Sequence, residues 1–445
     1  MQTCEKGSFN ALVKTHLGQA LPKELGEAIS MAEEPDESRQ FIYRFFPLMK
    51  EARYPATDIT PIFIRWLSSI KNMLPRAWGG CIPPITLPRR HHKLDLYIKG
   101  MNRFDEKNRP TFLDLGCGFP PVTTGDTAKQ LPLWQVKGVD RSFPFYILYT
   151  QEGYYACFNE AGEFQYFQSF GPPAGRSLIQ DPEKTRRYFN ELFSTMNPKS
   201  GPKGFPENRT IEKNGCRLIR DHVKDFETEN LSFIQADISD TGLPEADVIR
   251  CMNVHVYFPE PVRQEMTARS GKLLKDSGIM ITGTNGLSIQ SRYWVHKKNG
   301  RNLDCREFAF SPDNLSPFCF MAWFTLHDKD PESRLLSRLM GVIRSDRAFQ
   351  KEFYRTLDQY LEDHEVCRRR SDGFLQMMSE EMPQAEYIRK NAVIWQQMDR
   401  DGFIDQAVTV LENSGYQAWK NHVGDIAVHP LSGPGAEPLS SGADS

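Results

Sequence analysis

No Cys-x-x-Cys and no His-x-x-x-His occurs anywhere in this chain. Its nine cysteines are scattered singly, an odd and unpatterned set that reads as reduced thiols in a cytoplasmic protein. The ten histidines include one adjacent pair, His91 and His92, so no dedicated metal site is expected. A dominant charge is lacking as well. Fifty-five Lys and Arg stand against 57 Asp and Glu, for a net charge of −2, which removes any broad electrostatic case for a nucleic-acid partner. The short basic run PRRHHK at 88–93 reads as a solvated surface turn, with a phosphate or lipid site as the alternative. No apolar stretch reaches the length that spans a bilayer, so no membrane partner is expected. The opening MQTCEKGSFNALVKTHLGQALPKE lacks the charged start and apolar block of a signal peptide.

What is present is the composition of a folded, soluble protein, 39 % hydrophobic and 25 % charged. A length of 445 residues suits two or three domains, and a homodimer is compatible with it. Residues 1–108 read mostly as helix, from ELGEAISMAEEPDESRQFIYRFFPLMKEA to TPIFIRWLSSIKNML, and end in the Gly/Pro-rich GGCIPPITLPRRHH. From about 109 to 430 the pattern alternates. TFLDLG, WQVKGVD, LSFIQAD, ADVIRCMNV and GIMITGTN read as five strands, and VRQEMTARSGKLLKDSG as an amphipathic helix closing on Gly278. The alternation predicts an α/β fold, a doubly wound parallel sheet with a helical N-terminal region and two large insertions.

The first insertion, at about 143–230, holds a hairpin in YYACFNEAGEFQYFQ turning at Glu160-Ala161-Gly162, the helix DPEKTRRYFNELFSTM and a loop. The second, at about 287–400, holds the hairpin YWVHKKNGRNLDCREFAF with Asn299-Gly300 at its turn, then helices from about Glu332 to Met398. The sheet pattern resumes with the helix DQAVTVLENSG, closing on Gly415, and two short strands around Gly424. Residues 431–445 read as a disordered tail.

A strand ending in Gly-x-Gly at the carboxyl edge of a parallel sheet is a ligand site by default. In TFLDLGCGFPPVTT the glycines free the backbone for close approach. A dinucleotide fold wants a third glycine where Pro121 stands, and there is no Gly-Lys-Ser/Thr for a P-loop. Pro120 and Pro121 also withhold two backbone donors that a phosphate would want. A ligand without phosphate fits this turn better.

Leu113-Asp114-Leu115-Gly116-Cys117-Gly118, Gly138-Val139-Asp140, Gln235-Ala236-Asp237-Ile238 and Asn253 through Phe258, in that order, resemble the class I S-adenosylmethionine-dependent methyltransferases, which are Rossmann-like. The likeness covers about 110–142, 231–290 and 402–430, under half of the chain. It implies a fold, a cofactor (S-adenosyl-L-methionine) and a set of binding residues. Gly116, Cys117 and Gly118 would pass beside the methionine portion, and Asp114 would help place its ammonium end. Asp140, followed by Arg141, would take the ribose hydroxyls. Asp237 would accept from the adenine amino group, and Ile238 would cover the ring. Asn253 would stand near the reacting methyl. Other readings stay open: Asp140 as a surface loop residue, Asp237 as a helix N-cap, Asn253 as a strand-end support.

Methyl transfer from a sulfonium is an in-line displacement, and a base is needed only where the acceptor must lose a proton. CMNVHVYFPE supplies His255 and Tyr257 as catalytic candidates; on an extended segment they point to one side. Packing roles remain the alternative for both, and His222 and His296 lie in the insertions. The same stretch has a local likeness to the chemotaxis receptor glutamate methyltransferases, but Met252 stands where those carry arginine, and we read it as convergence. The absence of Asn/Asp-Pro-Pro-Tyr/Phe argues against methylation of nucleic-acid bases. The aromatic-rich insertions point to a small-molecule methyl acceptor, modified at oxygen or nitrogen. A non-catalytic cofactor-binding sensor or scaffold, and a protein methyltransferase, are the alternatives.

Overall fold

The computed structural model describes residues 23, 36–60, 63–64, 88–101, 103–143, 145–151, 154–169, 182–197, 204–206, 208–221, 223–238, 240, 242–286, 290–319, 321–379, 382, 384–430 and 432–433. Most of the helical reading of residues 1–87, His222 and the tail 434–445 lie outside the described residues. The chain divides into two compact units, one of Ser69–Arg89 and Asp105–Leu243, the other of Met1–Ser68, Arg90–Phe104 and Pro244–Ser445. These boundaries cut across the division expected at 108/109.

In the first unit β1 (Thr111–Leu115), β2 (Gln135–Asp140) and β8 (Leu231–Gln235) form a parallel set with β2 in the middle. The helix Val122–Gln130 makes the crossover from β1 to β2. Its apolar content is low, and its buried Thr123, Thr124 and Thr127 hid it from a search for apolar periodicity.

The insertion between β2 and β8 is larger than a hairpin. β3 (Tyr146–Tyr149), β4 (Tyr154–Phe158), β5 (Phe164–Ser169), β6 (Thr210–Lys213) and β7 (Cys216–Arg220) form an antiparallel sheet in the order β5-β4-β3-β7-β6. The expected turn is there, with Gly162 at φ 80°, and so is the helix, at Pro182–Met196. Alternation along the strands sends Tyr146, Leu148, Ala156, Phe158 and Phe167 toward Phe189, Phe193 and Met196 of that helix. The opposite face sends Ile147, Tyr155, Cys157 and Tyr166 toward Cys117, Phe119 and Phe143. The aromatics of this insertion are therefore its own two-sided core, and one side of it is the Gly-x-Gly turn.

In the second unit β9 (Ala246–Met252) pairs in parallel with β10 (Leu274–Asn285). The intervening helix Glu260–Leu273 stops short of the expected Gly278. Leu274 already pairs with Ala246, and the register then shifts before Ile279 pairs with Val248. Ser277 has φ 64° at this irregularity, and a Cβ on Gly278 would lie 2.8 Å from the Lys275 carbonyl oxygen. Gly278 thus serves a bulge in the strand, not a helix end.

The 291–310 hairpin is also corrected. β11 (Ser291–Asn299) pairs antiparallel with β10, and β12 (Asn302–Phe310) pairs with β11, so both extend the main sheet instead of leaving it. Their alternating apolar residues, Tyr293, Val295, Phe308 and Phe310, are buried sheet core. Helices Pro331–Ile343, Arg347–Asp363 and Gln384–Arg400 follow, interrupted by a small hairpin of β13 (Cys367–Arg369) and β14 (Leu375–Met377). The helix Phe403–Asn413, β15 (Ala418–Lys420) and β16 (Ile426–Val428) complete the unit, with Gly415 and Gly424 in left-handed turns as expected. β16 pairs with β12 and β15. The N-terminal helix Asp36–Glu51 packs into this unit: a Cβ at Gly341 would lie 2.1 Å from the Glu51 carbonyl oxygen, and Arg344 donates to the Ala52 carbonyl at 2.9 Å.

Among the described residues, no helix is long and apolar enough to cross a membrane, and no group of three or more His, Cys, Asp or Glu could hold a metal ion.

Candidate functional site

The strand β1 ends in a turn that only glycine enters without strain. Gly116 has φ 72° and Gly118 φ 68°. The N–H groups of Gly116 and Cys117 both donate to the Val139 carbonyl, at 2.8 and 3.1 Å, folding the turn over the end of β2. Gly138 in β2 makes room for this. A Cβ there would lie 2.6 Å from the Phe233 ring and 3.0 Å from Cys117 Sγ. Burial raises the Cys117 thiol well above its usual range, with the Asp140 and Asp114 carboxylates adding to the effect, so the thiol stays protonated. The Val122–Gln130 helix starts directly after Pro121, whose carbonyl accepts from Gly125, while the Val122 N–H is turned to the Pro120 carbonyl.

Asp140 closes the turn. Its Oδ2 accepts from the Gly118 N–H at 3.0 Å and its Oδ1 from the Ser142 N–H at 3.2 Å. Burial raises its pKa, and the Ser142 and Gly118 N–H groups pull the other way. A carboxylate has about four acceptor positions, so two bonds leave capacity for a pair of hydroxyls. The Ser142 hydroxyl in turn donates to Gln165 Oε1 of β5 at 2.7 Å, tying this strand end to the insertion sheet. Asp114 is buried, and its Oδ2 accepts from the Thr124 hydroxyl at 2.6 Å.

The Ala236 N–H donates to the Asp140 carbonyl at 3.0 Å, bringing the ends of β8 and β2 side by side. Beyond it Asp237 is exposed and Ile238 half-buried, while Arg141 is exposed. No helix follows Asp237 among the described residues. The turn, Asp140, Asp237 and Ile238 thus lie in one unit around the ends of three parallel strands.

The second unit carries the other candidates. Asn253 follows β9 with φ 61°, a left-handed conformation that asparagine tolerates. It is locked to Asn285 at the end of β10: Asn253 Nδ2 donates to Asn285 Oδ1 at 2.6 Å, and the Asn285 N–H to Asn253 Oδ1 at 2.9 Å. Asn285 Nδ2 also donates to the Arg90 carbonyl at 2.9 Å and lies 3.0 Å from His91 Nδ1. Arg90 Nη2 returns a bond to the Asn285 carbonyl at 2.7 Å. Arg90, His91 and Asn285 escaped the sequence reading. A polar residue closing two neighbouring strands, Asn253 and Asn285, was the available signal for part of it.

His255 and Tyr257 do not share one side of an extended segment. His255–Tyr257 is a 3₁₀ turn, with the Tyr257 N–H on the Val254 carbonyl and the Phe258 N–H on the His255 carbonyl. Two positions in such a turn are two-thirds of a revolution apart. Pro259 and the following helix supply the physical reason, because the chain must reverse within a few residues of the strand end. His255 is buried, and burial, with Arg263 and His296 adding to it, depresses its pKa to about 3. An imidazole held neutral in this way is a poor proton acceptor. Tyr257 is raised by burial, against the pull of the Arg90 guanidinium. If the chain is active, its rate should therefore show no limb near pH 6.5 that belongs to His255. A pH profile with such a limb, abolished in His255→Gln, would overturn this.

No family model matches the chain, and no curated protein does. Among solved structures it resembles coclaurine N-methyltransferase bound to N-methylheliamine and S-adenosylhomocysteine, at 15 % identity over 62 % of this chain and 61 % of that one, TM-score 0.22. It also resembles StiE O-MT, at 11 % identity over 43 % of each chain, TM-score 0.20. A third is PKMT2 from Rickettsia typhi in complex with AdoHcy, at 16 % identity over 51 % of this chain and 25 % of that one, TM-score 0.19. The chain thus spans less than two thirds of the length of these structures. Overlaps of this size carry no argument by themselves. The weight rests on the strand order: β2 between β1 and β8, β9 beside β10, and a glycine turn and an acidic residue at the first two strand ends. The chain has an α/β, Rossmann-like fold, with its strands in the order that the sequence resemblance to class I S-adenosylmethionine-dependent methyltransferases implies.

Proposed function

We propose that this chain transfers the methyl group of S-adenosylmethionine to a small-molecule acceptor, at oxygen or nitrogen. The observation that carries the reading is the Asp140 carboxylate, held by the Gly118 and Ser142 N–H groups with acceptor capacity to spare. That arrangement suits a ribose diol beside a bare backbone turn. The turn also suits a ligand without phosphate, since Pro120 and Pro121 offer no N–H and the Val122 N–H is engaged. Gly116 and Gly118 would lie along the methionine portion, and Asp237 and Ile238 would meet the adenine.

The cofactor brings a methyl group already activated on sulfonium; the chain's own residues supply alignment and exclusion of water. Asp140 fixes the nucleoside end. The Phe119, Phe143, Tyr155 and Tyr166 cluster keeps water from the back of the turn.

The test is direct. Purified chain, S-adenosylmethionine and a panel of small alcohols, phenols and amines should yield S-adenosylhomocysteine in an acceptor-dependent way. Cofactor binding without turnover on any acceptor would favour a sensor or scaffold. Methyl label entering a protein band in lysate would favour a protein substrate.

A further inference from the structure

Three side chains in the second unit carry buried polar atoms that lack a well-formed hydrogen bond among the described residues. Among the described residues neither carboxylate oxygen of Asp313 makes a hydrogen bond of good geometry, although the Ser311 hydroxyl is near enough to act on its charge, and the Tyr387 hydroxyl and Asn391 Nδ2 have no hydrogen-bond partner. Asp313 is 4 % exposed and Asn391 2 %. Buried polar groups are paired in the great majority of cases, so a cluster of orphans calls for an explanation.

These groups belong together. Tyr387 and Asn391 are one turn apart on the helix Gln384–Arg400, and so share a face. The Tyr387 ring stands edge-on to Phe318 at 5.7 Å, which packs it against the segment that follows Asp313. The Tyr387 phenol is raised by burial and, next, by the Asp313 carboxylate.

The strand register gives the location. Asn285 at the end of β10 pairs with Ser291, Arg292 pairs with Phe310, and Phe310 pairs with Ile426. Asp313, just past β12, and Asp425, just before β16, therefore sit at the same sheet edge as Asn253 and Asn285. That is the carboxyl edge of β9 and β10, where α/β folds receive ligands.

The charge at this edge is unbalanced. Asp425 is fully buried, accepting from Lys93 Nζ at 2.5 Å and from the Tyr293 hydroxyl at 3.0 Å. Lys93 is the cation that faces both carboxylates, and its side chain is 45 % exposed. Among the described residues, Asp425, Asp313 and Asp399 face this ammonium, and of the two buried carboxylates it bonds Asp425 and not Asp313. Burial pushes its carboxyl up to about 6, against the pull of the Ser311 hydroxyl and Lys93. A neutral water would satisfy an oxygen of Asp313 and leave the charge; a second cation satisfies both.

We propose that Asp313, Tyr387 and Asn391 form the subsite that receives a protonated amine carried by the methyl acceptor. The carboxylate takes the ammonium, and the Tyr387 hydroxyl takes one of its N–H bonds. The Asn391 amide remains to donate to an oxygen on the ligand, and the Phe318 and Tyr387 rings wall an apolar or aromatic body. The word acceptor rests on the methyltransferase reading above; the amine site itself does not.

The experiment is calorimetric titration of the full chain with 2-phenylethylamine and with 2-phenylethanol, which share a body and differ in the head group. Each is run with and without saturating S-adenosylhomocysteine. The amine should bind at least about tenfold more tightly than the alcohol. Asp313→Asn should erase that preference while the alcohol binds as before, and Tyr387→Phe should weaken the amine by about threefold. Circular dichroism checks that each variant is folded, and Tyr387→Phe serves if Asp313→Asn is not. Equal binding of the two probes, no binding of either, or an Asp313→Asn variant that keeps the preference overturns the proposal. Amine preference with no affinity for S-adenosylhomocysteine would sink the cofactor reading and leave this one standing; the reverse result separates them the other way.

Discussion

Asp140→Ala should lower the affinity of the chain for S-adenosylhomocysteine by about 10- to 150-fold. The estimate is ~1.5–3 kcal/mol, the scale of hydrogen bonds to a charged group. Two effects combine. The ribose diol loses its charged acceptor, and the Gly118 N–H loses the oxygen it meets at 3.0 Å, which loosens the turn itself. Asp140→Asn separates them. It keeps the shape and one carbonyl oxygen for Gly118, but loses the charge, so its affinity should fall between those of the wild type and the alanine variant. Calorimetry with the product nucleoside reads both. Unchanged affinity in the alanine variant would remove the ribose assignment.

The largest stability effect is expected at Asp95→Ala, a loss of ~3–5 kcal/mol. Arg250 of β9 is fully buried, and its Nη1 donates to Asp95 Oδ1 at 2.8 Å, where Asp95 is 1 % exposed. Removing the carboxylate takes away the oxygen that the buried guanidinium meets through Nη1. Asp95 lies on the helix His92–Gly100, and His91, against Asn285, stands just before that helix, so the damage should reach the strand ends too. Urea unfolding of the full chain measures the cost. The double variant Asp95→Leu with Arg250→Met should recover most of it, because a well-packed apolar pair replaces a buried ion pair at little or no penalty. A single variant that loses under ~1 kcal/mol would show the pair to be dispensable.

Much of the first unit was legible in the chain's own letters. Gly116 and Gly118 announce a turn because no other residue takes a positive φ there without strain, and the structure has both at about 70°. Asp140 was legible because a strand of alternating burial ends on it. The hairpin turns at Gly162, Gly300 and Gly424 were legible for the same local reason. The errors arose where a local pattern met a long-range partner. KLLKDSG reads as the last turns of a helix, yet Leu274 leaves it because Ala246 is available for pairing. VHVY reads as strand, yet it turns because the next helix must start at Glu260. The 291–310 hairpin was recognised, but its place beside β10 depends on a register no local pattern carries.

The sequence by itself determined the five principal strands, the glycine turn without a phosphate cradle and the acidic strand end, because each depends on conformational limits or periodicities within a few residues. Only the tertiary structure decided that the insertion's aromatics form a sheet packed on that turn, that Asn253 is braced by Asn285, itself held by the Arg90 carbonyl and the His91 ring, and that Asp313, Tyr387 and Asn391 carry buried polar atoms without a well-formed hydrogen bond among the described residues. The physical reason is that burial and pairing belong to groups far apart in the chain, and neither exists until strands and helices have chosen their neighbours.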